Sequence, residues 1–402
     1  EITGENLRGE RILDPPVNPT KHATADHARA ESLTDATGSA PPVAKIPNPP
    51  QQPNIPKSQL DPAPPTLPQK NLNELDPALI GSTWPPPDPF EIPRRRLAGS
   101  FPPLQPVSQC EARGLHGGKS DPNKKLLDRI RVTPDNADGH TLMCIVYTYH
   151  AKHDRVAMVR DTWGSRCDGF VVMSDQSDAS VSAARVTHEG KEEYSNIWQK
   201  VRSIWKYVHL HYRDQFDWFI IGGDDLFVIP SNLRAYLRSD QVVAAAGGLD
   251  QSEPVFLGRR FQIPRGQLFN SGGAGYVLNR AALEVLNSHM SDAKCFPHQH
   301  VFAEDVNVAH CLKIHGVKPI DTRQAFTGAE RFHPFTPGGH LNWRPPKIKN
   351  ADGSSKDWYE NYNKPWGLTL GEKCCANDSV TFHYVSPQLM PHMSALLYDC
   401  RN

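Results

Sequence analysis

The apolar positions of this chain fall into two textures. Up to about residue 106 they stand singly among prolines and small polar residues, with no helical or strand period. From Leu126 onward they gather into periodic runs. Residues 142–149 (L-M-C-I-V-Y-T-Y) predict a buried strand, residues 156–163 the helix after it, and residues 169–174 a second strand. Over 193–212 the apolar residues Ile197, Val201, Ile204, Trp205 and Val208 recur at helical spacing. Residues 217–222 (D-W-F-I-I-G) predict a third strand that runs into Asp224-Asp225. A helix through Leu237 follows, with Pro230 before it and Ser231-Asn232 as its cap. Further strands are expected at 244–248, 255–258 and 381–385, and further helices at 279–289 and 304–315. Strand alternating with helix predicts an α/β fold with a mainly parallel sheet, whose ligands lie beyond the carboxyl ends of the strands. Asp224 and Asp225 stand at such an end.

Composition sharpens the division. Of 37 prolines, 23 lie at or before position 106. Proline fixes φ and lacks a donor, so residues 1–106 read as an extended, mostly disordered spacer, and 107–402 as the folded domain. Arg94-Arg95-Arg96 reads there as a solvated or processing-prone patch. Lys+Arg and Asp+Glu are equal at 44 each, which gives no electrostatic case for nucleic acid or an anionic membrane as partner. No run approaches the roughly 18 apolar residues of a membrane span. The chain starts at Glu1, so a missing N-terminal segment is expected. All eight cysteines lie after the spacer, without a C-x-x-C pair, which suits disulfides in an oxidising compartment. Cys144 with Cys167 would tie the first strand to the next helix, and Cys295 with Cys311 would pin the loop before Asp305. The connectivity stays open in the sequence.

Several groups could carry chemistry, and each has a plainer reading. Two carboxylates ending an apolar strand are costly unless a cation or donors compensate them. A divalent ion bridging carboxylate and diphosphate would do so, and so would a helix N-terminus. Ser271-Gly272-Gly273-Ala274-Gly275 allows close backbone approach to a ligand, or serves as a structural turn. Glu304-Asp305 opens a helix and could cap it. His333 and His383 each sit among aromatics, where a histidine is usually packing.

Taken together, R-D-T-W (160–163), W-F-I-I-G-G-D-D-L-F-V-I (218–229), L-G-R-R-F (257–261), S-G-G-A-G-Y-V-L (271–278), A-E-D (303–305), F-H-P-F-T-P-x-x-H-L (332–341) and C-C-x(4)-S-V-T-F-H-Y-V (374–385) resemble the Fringe-like inverting β-1,3-glycosyltransferases, in the same order along residues 144–398. The last two pieces resemble the core 1 galactosyltransferase branch. The resemblance implies a GT-A domain, Mn²⁺, and transfer of galactose from UDP-galactose to O3 of GalNAc on Ser/Thr of a glycoprotein. It makes Asp225 and His383 metal ligands and Asp305 the general base. Thr148, Arg160, Asp224, Gly272 and Gly273 fall on the donor side. It implies a single-pass type II protein of the Golgi lumen, anchored by a segment preceding this chain, and is compatible with a homodimer. The family's acidic triplet is here Gly223-Asp224-Asp225, with the first acid gone. That departure also admits an inactive chaperone-like relative, and a different donor or acceptor is the other alternative. Trp343, Trp366 and the stretch 342–371 would shape the acceptor pocket, although that stretch matches the family poorly.

Overall fold

The computed structural model describes residues 79–98, 110, 121–134, 139–264 and 266–400. All of these described residues belong to one compact unit of the chain. Most of the expected spacer therefore lies outside the described residues.

The centre of this unit is a six-stranded sheet. β1 (Leu142–Tyr147), β2 (Gly169–Ser174), β3 (Ala183–Arg185), β4 (Trp218–Gly223), β6 (Phe256–Gly258) and β9 (Tyr276–Asn279) stand in the order β3-β2-β1-β4-β9-β6. β1 to β4 are parallel, and β9 and β6 complete the sheet through antiparallel pairs. β1 and β4 are almost wholly apolar because helices cover both faces. Alternation sorts their side chains between two cores. Cys144, Val146, Trp218 and Ile220 face one core, together with α3 (His153–Thr162) and α5 (Pro230–Leu237). Met143, Ile145, Phe219 and Ile221 face the other, with α4 (Ile197–Tyr212), α7 (Arg280–His289) and α8 (Glu304–Ile314). A three-stranded sheet of β10 (Phe332–His333), β11 (Thr381–Phe382) and β5 (Phe227–Val228) follows directly on β4 and brings the C-terminal region back to its end.

The predicted strands at the centre and the helices behind them are present, and three expectations need correction. Residues 244–248 are not a strand. An alanine-rich run favours helix, and it forms α6 (Asp240–Ala245), which gives way to Gly247 and Gly248, both at positive φ. Ser231-Asn232 does not cap α5. Pro230, preset for the first helical position, starts that helix, and the Asn232 side chain instead accepts from Thr133 N (2.8 Å) and donates to Ser379 O (2.9 Å). The folded region also begins before residue 107. α1 (Glu91–Leu97) buries Ile92 completely, and Phe90 stacks on Phe216. Phe170 N donates to Pro89 O, and the Tyr207 and Tyr212 hydroxyls donate to Thr83 O and Pro87 O, each at 2.8–2.9 Å. A proline-rich strap keeps its carbonyl acceptors, so it can satisfy donors of the domain it crosses. Within α1, Arg94 pairs with Asp88 and Arg96 reaches Ser165.

Disulfides join Cys144 to Cys167 and Cys295 to Cys311, as expected, and also Cys110 to Cys400 and the neighbours Cys374 and Cys375. Among the described residues, no helix is long and apolar enough to cross a membrane.

Candidate active site

The carboxyl ends of β1 and β4 lie side by side, with Tyr147 opposite Gly223. Beyond them the two strand-end acids take different partners. Asp224 is buried and accepts from Thr148 Oγ1 (2.7 Å) and Arg155 Nη1 (2.9 Å). Asp225 faces His383, its Oδ1 lying 3.3 Å from the imidazole Nε2. The register of the small sheet accounts for this meeting. β11 pairs antiparallel with β5 through Phe382 and Phe227, which puts the next residue, His383, beside the turn that carries Asp225. Val385 N then donates to Asp225 O (2.9 Å), and Pro334 O holds the other ring nitrogen at 3.3 Å. Burial pushes the Asp225 carboxyl up, but the hydrogen bond and charge of His383 and the charge of Arg155 outweigh it and hold the group below its ordinary value.

The second acid pair opens α8. Asp305 is partly accessible. Its Oδ2 accepts from Gly272 N and its Oδ1 from Val306 N, both at 2.8 Å. Glu304 is buried and accepts from the Tyr276 hydroxyl (3.1 Å), which accepts in turn from Trp205 Nε1 (3.0 Å). The N-cap residue is Ala303, which offers no side-chain cap, and Asp305 satisfies the first-turn amide of Val306. No Arg, Lys or His pairs with either acid among the described residues. Burial raises the pKa of both; the charge of Asp305 adds to the rise at Glu304, and the amides of Gly272 and Val306 moderate it at Asp305.

The glycine run connects the two pairs. A Cβ at Gly272 would lie 2.1 Å from Glu304 Oε1, and one at Gly273 would lie 2.4 Å from His383 Cε1. The Thr381 hydroxyl donates to Ala274 O (2.7 Å), locking the run to β11. These glycines therefore admit site side chains at close range, and the chain of contacts Asp305–Gly272–Gly273–His383–Asp225 is continuous. Gly223, where the resembled family has an acid, leaves room in which a Cβ would stand 3.1 Å from Asp225 Oδ1 and 3.5 Å from the Tyr147 ring.

Asp225 and His383 offer one oxygen and one nitrogen, a donor set suited to a borderline divalent ion such as manganese. Neighbouring ligands on one octahedral ion stand about 3 Å apart at bond lengths near 2.1 Å. Their 3.3 Å separation is close to that spacing.

Arg160 is not at this site. Its guanidinium is taken by Asp161 and by the Ser180 carbonyl, and Arg155 is the cation of α3 that reaches the acids. Helix geometry separates the two: five residues are about 7.5 Å of rise and well over a third of a turn out of phase, and Arg155 is the one in the first turn, next to the strand ends. Two further residues emerge only in three dimensions. Burial, and then the charges of Glu304 and Asp225, hold the Tyr147 phenol well above its ordinary pKa, because it stands between both acid pairs. Tyr362, on α10 (Trp358–Asn363), is raised by burial and by the charge of Asp305. It belongs to an aromatic cluster with Phe261, Phe269 and Trp358, while Trp343 packs on Tyr359 and Trp366 lies under Arg260. Tyr147 ends β1, where the sheet rule places ligands, and that position was the available signal.

Residues 140–336 match the family model described as Fringe-like. Over 245 residues the chain is 30% identical to glycoprotein-N-acetylgalactosamine 3-beta-galactosyltransferase 1 of Xenopus laevis, covering 60% of this chain and 62% of that protein. It is 24% identical over 330 residues to chondroitin sulfate synthase 3 of Mus musculus, covering 74% of this chain and 35% of that one. With human chondroitin sulfate glucuronyltransferase it shares 26% over 182 residues, 43% of this chain and 22% of the relative. The chain thus spans less than two thirds of the length of each of these relatives. Its mainly parallel sheet flanked by helices is the GT-A arrangement of the Fringe family. The fold, the matched region and the glycosyltransferase relatives agree: residues 140–336 form a Fringe-like domain, and the chain is a relative of the core 1 β-1,3-galactosyltransferases.

Proposed function

We propose that this protein is a metal-dependent inverting β-1,3-glycosyltransferase that moves galactose from UDP-galactose to O3 of GalNAc on Ser or Thr of a glycoprotein. The observation that carries the reading is the unbroken run of contacts from Asp305 through Gly272 and Gly273 to His383 and Asp225. That run supports a reading in which an oriented carboxylate and a cation site serve one sugar. The galactosyl choice rests on the Xenopus relative, whose name specifies a 3-beta-galactosyltransferase acting at N-acetylgalactosamine.

Inversion requires one in-line displacement. The bond from the anomeric carbon to the UDP oxygen breaks as the bond to the acceptor O3 forms, and the hydroxyl proton passes to a base. Asp305 is built to take it. Two backbone N–H groups fix the plane of its carboxylate and leave lone pairs free, and burial raises its basicity above that of an ordinary aspartate. Burial acts in the same direction on Glu304 beside it. Asp225 and His383 would hold a divalent ion, Mn²⁺ by donor type, which supplies charge compensation for the departing diphosphate. Arg155 and Thr148 keep Asp224 satisfied, so that the turn keeps its shape when the donor arrives. Tyr362 and the aromatic cluster around it border the base and suit the apolar face of an acceptor sugar.

Four disulfides suit an oxidising lumen, and the Golgi, with an anchor preceding this chain, is the location we assign. A second reading, transfer onto a glycosaminoglycan-type chain, draws on the longer match to chondroitin sulfate synthase 3. The test is to incubate the protein with Mn²⁺ and UDP-galactose and either a GalNAc-peptide or a chondroitin oligosaccharide, and to weigh the products. Added hexose on the peptide supports the reading, transfer only to the oligosaccharide replaces it, and no transfer with any UDP-sugar makes the protein an inactive relative.

A further inference from the structure

Away from the acid pairs, the C-terminal ends of α7 and α8 meet and bring three metal-binding side chains together. His289 is the last residue of α7, His315 follows the last turn of α8, and Asp292 lies in the loop between α7 and the Cys295 disulfide. One carboxylate oxygen, Asp292 Oδ2, stands 3.0 Å from His289 Nδ1 and 3.9 Å from His315 Nε2. All three donor atoms lie within 4.8 Å of one another.

From this convergence we infer a divalent transition-metal site, Zn²⁺ by donor type, formed by His289, Asp292 and His315. Zinc takes imidazole nitrogen and carboxylate oxygen at about 2.0–2.2 Å, so tetrahedral ligands stand about 3.3 Å apart, a value bracketed by the two distances here. His315 Nε2 is inaccessible to solvent and has no hydrogen-bond partner among the described residues, so the donor needs a ligand and gives up none. The negative ends of two helices favour a cation at this place. The Cys295–Cys311 bridge ties the segment that carries Asp292 to the helix that leads to His315. Side-chain exposures of 38%, 51% and 26% for His289, Asp292 and His315 keep the cluster near the surface. The two rings stack at 3.5 Å and 13°. An ion lies in the plane of each imidazole that binds it, so loading the site swings the rings out of their stack. Because α8 begins with Glu304–Asp305, a bound ion would fasten the far end of the helix that carries the base.

Zinc bound after equilibrium dialysis, counted by elemental analysis, decides this for the whole chain. The wild type, His315→Ala, the isosteric Asp292→Asn and Asp225→Ala are compared. Loss of one equivalent, or at least about a tenfold weaker zinc affinity, is expected in His315→Ala and Asp292→Asn, with Mn²⁺-dependent UDP binding unchanged. Asp225→Ala should keep that equivalent and lose manganese-dependent UDP binding instead. Co²⁺ added to wild type should give a visible absorption band of a low-coordinate nitrogen–oxygen site that Asp292→Asn lacks. Equal zinc in wild type, His315→Ala and Asp292→Asn overturns the assignment and leaves a carboxylate shared between two stacked histidines. Because the readout is a metal count, the outcome is independent of whether galactose is transferred.

Discussion

The site holds two pairs of adjacent carboxylates, and their surroundings have made them opposites. Asp224–Asp225 end a strand and each has a basic partner, Arg155 for one and His383 for the other. Glu304–Asp305 begin a helix with neutral donors only, a phenol and two amides. Burial acts on both pairs, so the partners decide the result: Asp225 is held below the ordinary carboxylate range, while Glu304 and Asp305 are pushed above it. A low-pKa carboxylate beside an imidazole suits a cation ligand. A high-pKa carboxylate with free lone pairs suits a proton acceptor. Residue type alone would not have separated the two roles.

The strongest way to break this contrast is to neutralise one acid from each pair. Asp305→Asn keeps the shape and removes the proposed base. Turnover should fall by about 10²–10⁴-fold with Mn²⁺-dependent UDP binding intact, and near-normal kcat would remove Asp305 from the chemistry. Asp225→Ala and His383→Ala should act on the other side. Calorimetric titration of UDP should show its manganese-dependent affinity weakened at least about tenfold, and unchanged heats would dissolve the proposed cation site.

Much of this contrast was legible in the sequence, but not all of it. β1, β2 and β4 are written as uninterrupted apolar runs, and the helices behind them as 3.6-residue periods, because burial on one or both faces leaves that imprint. Asp225, Asp305 and His383 could be named because short motifs surround them. Arg155 was missed because the choice between two arginines on α3 depends on which turn faces the strand ends. Ser231-Asn232 looked like a cap because its residue types fit, and Pro230 overrode them. Segment 79–98 was hidden by proline content, which reports the absence of ladder donors and says nothing of acceptors. The partner of Glu304, Tyr276, comes from β9, and the Trp205 that donates to Tyr276 comes from α4, both far away in sequence, and no local pattern encodes them.

Acid titration sharpens the comparison next. A base must be deprotonated to act, and Asp305 is raised by burial, so it takes up its proton at a higher pH than an ordinary aspartate near 3.9. With Mn²⁺ and UDP-sugar saturating, the acid limb of kcat should therefore fall above that range. A limb at or below it would show that the carboxylate is not desolvated in the complex. Adjacent methyl groups should then divide the site. Gly273→Ala places its Cβ into the His383 ring and should weaken manganese-dependent UDP binding. Gly272→Ala meets Glu304 and should lower kcat with the metal dependence kept. Each should also cost about 1–3 kcal/mol of stability by urea unfolding, and the same kinetic defect in both variants would mean that the run is one rigid unit.

The smallest effect is expected at Glu304, and it is the most discriminating. If burial keeps this side chain protonated at neutral pH, Glu304→Gln replaces one neutral group with another of the same shape. The amide oxygen can still accept from the Tyr276 hydroxyl. Stability should then stay within about 0.5 kcal/mol of wild type and kcat within a factor of a few. Glu304→Ala differs, because it leaves the Tyr276 hydroxyl without its buried acceptor and should cost about 1–3 kcal/mol. A Gln variant as damaged as the Ala variant would mean that Glu304 is charged in the native protein. Two negative charges would then stand together at the start of α8, and the basicity assigned to Asp305 would arise from repulsion by its neighbour rather than from burial.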